Sequence, residues 1–215
     1  MTDFNVIFDE LLVALSAFSL ALGISGVLGI ALFVLKGLGL YRMAKGIGMS
    51  NSWLAFIPVA NIYVLGSISQ KYVKRDGTKS AKMGVILLLL YIAELILAIA
   101  LLIFFVISVV AIISNAELAI ETESQMTMEM FSSFIPVIAL YFVLLAVAIS
   151  YAVTFFVALW RIYSLYDGKN ATVYLVLSIL FGAITPVFLF VISKHTPVFE
   201  KTAIDLFEAE KVEEL

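Results

Sequence analysis

Long apolar runs constrain this 215-residue chain more than any other feature. Leu11–Leu35, Gly84–Ile113, Ile135–Leu159 and Ala171–Ser193 are each long enough to cross a bilayer as a helix, and Trp53–Ser69 is a shorter run of the same kind. A helix needs about 20 apolar residues to span ~30 Å of hydrocarbon. With 63% hydrophobic and 13% charged residues, the surface of a water-soluble globule could not be made polar. The chain therefore reads as an all-α integral membrane protein. There is room for one compact membrane domain over residues 1–194 and an acidic tail over 195–215.

Charge assigns the ends of these runs to sides of the membrane. Eleven of the thirteen Lys and Arg lie beside the runs. Arg42 and Lys45 follow the first, and Lys71, Lys74, Arg75, Lys79 and Lys82 follow the short one. Arg161 and Lys169 follow the run that ends at Leu159, and Lys194 and Lys201 follow the last. The N-terminus carries Asp3, Asp9 and Glu10, and Ser114–Met130 carries Glu117, Glu121, Glu123 and Glu129, with no base in either. Cytoplasmic flanks collect Lys and Arg. Were every run a crossing, Lys71–Lys82, Arg161 and Lys169 would sit on the opposite side from Arg42 and Lys194. If the short run and the last run enter and leave from the cytoplasm, all eleven bases are inside.

The expected fold is three spanning helices plus two cytoplasmic re-entrant hairpins, with four or five spanning helices as the alternative. The N-terminus is placed outside and the C-terminus inside, in the plasma membrane. The acidic N-terminus also lacks the basic front of a cleavable signal. Helix breakers fall where the hairpins need them: Pro58 and Asn61 in the short run, and Gly182 with Pro186 in the last. Each proline is expected at a reversal of the chain. Backbone of that kind survives at membrane depth only under cover of protein or in a wet cavity.

A weak parallel repeat runs through the chain. Tyr41/Trp160, Arg42/Arg161 and Asn51/Asn170 share one offset, giving units of about 11–70 and 135–194 joined by a helix over 83–113. Two hairpins entering from one face do not build the inverted frame common in alternating-access transporters.

Few residues can carry chemistry. Glu94 is the one ionisable side chain well inside an apolar run, where a charge costs ~2.5 kcal/mol or more, so it is a paired or functional group by default. Tyr91 shares its helix face, and Asn61 is a plausible partner. Ser19/Gly23 and Ser25/Gly29 have the small-xxx-small spacing that lets helices approach closely, expected here to serve packing within the chain. His195 stands without nearby carboxylates, the chain has no cysteine, and no phosphate loop or nucleophile set is present. No enzyme activity, metal, cofactor or nucleic acid is expected. In the tail, Thr196–Leu215 has the spacing of a solvated helix. The expected function is that of a scaffold or accessory subunit contacting a membrane-protein partner or its own copies within the lipid bilayer. The alternative is a small channel or carrier that uses Glu94.

The string Tyr41-Arg42-Met43-Ala44, Gly48, then Trp53-Leu54-Ala55-Phe56-Ile57-Pro58-Val59-Ala60-Asn61-Ile62-Tyr63-Val64-Leu65-Gly66 resembles a pattern in small uncharacterised multi-pass membrane proteins of Gram-positive bacteria. The resemblance implies a multi-pass bacterial membrane protein and supplies no activity, ligand or site residue.

Overall fold

The computed structural model describes residues 2–75, 82–118 and 126–197, and among these there is no strand. The described helices are α1 (Thr2–Gly46), α2 (Ala60–Arg75), α3 (Met83–Leu118), α4 (Met126–Tyr166), α5 (Ala171–Leu180) and α6 (Thr185–Ile192), with 3₁₀ turns at Ser52–Phe56 and Gly182–Ile184. Three of them, α1, α3 and α4, are long and apolar enough to cross a membrane. The protein is an all-α membrane protein. The chain forms two compact units: residues 1–57 with 163–215, and residues 58–162.

In the first unit, α1 outlasts its longest apolar run and ends in a glycine cap. Gly48 takes the left-handed conformation (φ +73°). Met49 N–H then donates to the Ala44 carbonyl (2.9 Å) and Gly48 N–H to that of Lys45 (3.0 Å). This is the Schellman closure, for which glycine pays no Cβ penalty. The following 3₁₀ turn folds back on the helix it left. A Cβ on Gly37 would stand 2.9 Å from the Phe56 ring, and Phe56 meets Tyr41 at 5.7 Å between ring centres.

The end of α4 repeats the manoeuvre with a longer element. Asp167 closes the last turn through its N–H to the Tyr163 carbonyl (2.8 Å). Then α5 folds against the last turn of α4, with the Tyr163 and Tyr174 rings edge to face at 5.7 Å. The buried Tyr163 and Ser178 hydroxyls share a hydrogen bond of 2.8 Å. At Phe181 (φ −131°, ψ 78°) the chain turns again. Tyr174 and Phe188 lie 5.0 Å apart, whereas fourteen residues of one continuous helix would separate them by about 21 Å. The segment Ala171–Ser193 therefore reverses direction. Its two helices are ~15 and ~12 Å long, too short to cross alone. The reversal sits at Phe181–Ile184, and Pro186 lies in the first turn of α6 instead of at the apex expected for it. The missing proline N–H costs nothing there, because first-turn donors have no partner within a helix. α6 then packs on α1 backbone to backbone: a Cβ on Gly39 would lie 2.8 Å from the Leu189 carbonyl and the Phe190 nitrogen. Leu40, Met43, Ala44, Tyr163, Leu189 and Ile192 form the buried core.

In the second unit, α2 packs antiparallel to the start of α3. A Cβ on Gly66 would stand 2.6 Å from the Gly84 Cα, and Val64, Leu65, Ile68 and Leu87 are buried around this crossing. The Gln70 amide, oriented with its oxygen toward α3, accepts from the N–H groups of Met83 and Gly84 (3.2 Å for the latter), capping donors that α3 leaves without an intrahelical partner. Pro58 precedes α2, and Ile57 before it is extended (φ −95°, ψ 124°), as a residue preceding proline should be.

Candidate functional site

Glu94 stands roughly 17 Å along α3 from Met83. It is half-buried. The Tyr151 hydroxyl of α4 lies within electrostatic reach of the Glu94 carboxyl, and Tyr91 meets Tyr151 ring to ring at 5.8 Å. Tyr151 continues the aromatic row to Phe155, 5.9 Å away. Tyr91 lies one helical turn before Glu94 on α3, while Tyr151 had no signal in sequence, because a tyrosine in an apolar run looks like any core aromatic. Asn61 is buried in the first turn of α2.

The small residues of α1 do not do what their spacing predicts. From Leu11 to Ala31 every residue is exposed, and a Cβ on Gly23, Gly26 or Gly29 would meet nothing within 4 Å. Packing within the chain is therefore not their role among the described residues. Ser19 spends its hydroxyl on its own helix, donating to the Leu15 carbonyl (2.8 Å). Close helix contact occurs instead at Gly39 and at the Gly66–Gly84 crossing, where no i, i+4 pair of small residues within one helix marks the site.

Lys36 directly follows the first apolar run, and the same helix continues through it to Gly46. Lys36 is half-buried.

A polar cluster lies at the α4–α5 turn. Asp167 Oδ2 accepts from Asn170 Nδ2 and from the Tyr174 hydroxyl, both at 3.0 Å. The Asn170 hydrogen bond, with Tyr174 adding to it against a desolvation cost, holds the Asp167 carboxyl below the usual carboxylate range. His195, just beyond α6, contributes a small charge interaction, so both ends of the α5–α6 reversal are near Asp167. Among the described residues no group of three His, Cys, Asp or Glu side chains could hold a metal ion. The expected tail helix lies almost wholly outside the described residues, as do Glu121 and Glu123.

No protein-family model matches the chain, and neither a curated protein nor a solved structure matches it.

Proposed function

We propose that this chain is a non-enzymatic membrane scaffold or accessory subunit, acting by packing α1 against a membrane-protein partner or a second copy of itself. The observation that carries this is the uncovered stretch Leu11–Ala31, with Gly23, Gly26 and Gly29 open on their Cβ side. Lipid tails supply no hydrophobic drive between helices, so association depends on close backbone approach, and small residues permit it. Ser19, Leu20, Gly23, Ile24, Val27 and Ala31 line a shallow groove of about 630 Å³ along that face.

In this reading the protein sits in the plasma membrane with its N-terminus outside, and α5–α6 is a re-entrant hairpin entering from the cytoplasm. The shortness of α5 and α6, the reversal at Phe181–Ile184 and the bases at both ends support that placement. The parallel repeat gains support from Asn51 and Asn170, which each precede the element that folds back after a long helix.

The absence of cysteine makes the test direct. Single cysteines at Ser19, Gly23, Gly26 and at the control position Ala21, on the opposite face of the helix, are introduced, and crosslinking is driven by oxidation in native membranes. Adducts confined to the small-residue face support the reading, with a homodimer or a heavier adduct naming the occupant class. Equal crosslinking at all four positions sinks it. Labelling of Asn170→Cys by an impermeant reagent from outside would overturn the topology.

Glu94 beside Tyr91 and Tyr151 favours a second reading, a small ion channel or carrier. In liposomes that reading requires flux by the wild type and its loss in Glu94→Gln; no flux from the wild type removes it.

A further inference from the structure

Two cations converge on one ring where α1 and α6 end. Arg42 Cζ stands 5.0 Å from the centre of the Phe190 ring, and Lys194 Nζ stands 5.3 Å from the same centre. Both cationic side chains are exposed and Phe190 is half-buried. Whichever faces of the ring they use, the two charges are at most about 10 Å apart, close enough to repel at physiological salt. Neither forms an ion pair with a described acid, and Asp167, the acid at the nearby turn, already accepts from Asn170 and Tyr174. Lys45 follows Arg42 at i+3 on α1, adding positive charge to the same helix end.

The arrangement is held from below. Gly39 brings α1 and α6 into backbone contact, and the Tyr166 hydroxyl donates to the Met43 carbonyl (3.4 Å). Phe190 is therefore a fixed floor, and cation–π attraction keeps two long side chains from dispersing into water. A guanidinium fork and an ammonium on such a floor match the oxygens of one phosphodiester: the fork binds two, and the ammonium adds a point charge. The apolar surface continues away from the cations through exposed Val187 and Val191 of α6 and Val34 of α1. A free anion would leave that surface unused, whereas acyl chains would cover it.

We propose that Arg42, Lys194 and Phe190 form a binding site for the headgroup phosphate of an anionic phospholipid, with its acyl chains lying along α1 and α6. The site is independent of any packing by the Leu11–Ala31 stretch.

The test titrates the full-length protein, in dodecyl maltoside, with dioctanoyl phosphatidylglycerol, dioctanoyl phosphatidylcholine and inorganic phosphate, reading bound lipid by native mass spectrometry. Phosphatidylglycerol is expected to bind at least tenfold tighter than phosphatidylcholine. Arg42→Gln and Lys194→Gln should each weaken it about fivefold, the worth of one base near an anionic headgroup. The charge-conserving pair Arg42→Lys/Lys194→Arg should keep most of the binding. Phe190→Leu keeps both charges and should weaken it about two- to fivefold through loss of the ring. Should a Gln variant fail to elute as a single species, Phe190→Leu and the charge-conserving pair still decide the matter. Unchanged binding in the Gln variants or in Phe190→Leu overturns the site. So does an equal loss in the control Lys71→Gln/Lys82→Gln, whose residues belong to the other unit. Displacement of the lipid by equimolar phosphate would make this a free-anion site and overturn the lipid assignment.

Discussion

The contact between α2 and α3 depends on the absence of two side chains, and restoring one tests it. In Gly66→Ala the new Cβ would lie 2.6 Å from the Gly84 Cα, 2.8 Å from its nitrogen and 2.9 Å from the Met83 carbonyl oxygen. Carbon atoms in contact prefer about 3.5–4.0 Å, so the two backbones must separate by roughly 1 Å. No side-chain rotation relieves the clash, because every atom met is main chain. The same movement would take the Gln70 oxygen, now 3.2 Å from Gly84 N, to roughly 4 Å, beyond hydrogen-bonding distance. Overpacking costs ~1–3 kcal/mol and the lost cap ~1 kcal/mol, while alanine regains ~1 kcal/mol of helix propensity. The net loss is about 2 kcal/mol, and for a chain of this length that is a fall in Tm of about 4–8 °C.

Thermal unfolding in dodecyl maltoside reads this cleanly in a Trp53→Phe background. Trp53 is exposed, and its removal leaves Trp160, whose ring stands edge-on to Tyr72 at the far end of α2. Gly26→Ala is the control: its Cβ meets nothing within 4 Å, so Tm should hold or rise slightly. Gly84→Ala, whose Cβ would lie 2.7 Å from the Tyr63 carbonyl oxygen, should fall at least as far as Gly66→Ala. If Gly66→Ala and Gly84→Ala melt with Gly26→Ala, the α2–α3 contact is wrong.

Gly39→Ala should push α6 off α1, because its Cβ would strike the Leu189 carbonyl at 2.8 Å; limited proteolysis after Lys194 should speed up several-fold, and no change would refute the contact. Ser178→Ala strands the buried Tyr163 hydroxyl and should cost ~1–3 kcal/mol, whereas Tyr163→Phe/Ser178→Ala removes both partners and should recover most of that, as a double-mutant cycle by denaturant titration will show. Asp167 has a lowered folded pKa, so its contribution is full above the usual carboxylate value of 3.8 and is lost as pH falls through the depressed one. Asp167→Ala should therefore remove a stability difference that exists at pH 6 and fades below pH ~4, measured as Tm against pH, and equal losses at both pH values would sink the argument.

The parts of this fold that were legible in sequence are those that a bilayer dictates. Helices long and apolar enough to span follow from run length, because hydrocarbon leaves a backbone no other way to satisfy its hydrogen bonds; that they number three and not four followed from where the bases lie. The reversal in Ala171–Ser193 followed from bases at both ends of an apolar run, and the structure places it within a few residues of Gly182. Its apex could not be assigned to Pro186 from chemistry alone, since the same ring that ends a helix also begins one.

Close packing was the least legible feature. A glycine motif states that a backbone can be approached, and nothing in the motif says what approaches it. Gly23 and Gly29 have the recognised spacing and meet open space, while Gly39 and Gly66 have no such spacing and, like Gly84, meet main chain below 3 Å. The difference lies in topology: among the described residues of its own unit, α1 is met near its C-terminal end, where Ser52–Phe56 and α6 fold back, and these elements are too short to reach its other half. The same geometry explains why the pair Arg42 and Lys194 was invisible. They are 152 positions apart in sequence and share a ring because α6 ends beside α1. As flanking bases each carried only a vote on topology. On one aromatic floor they become a site.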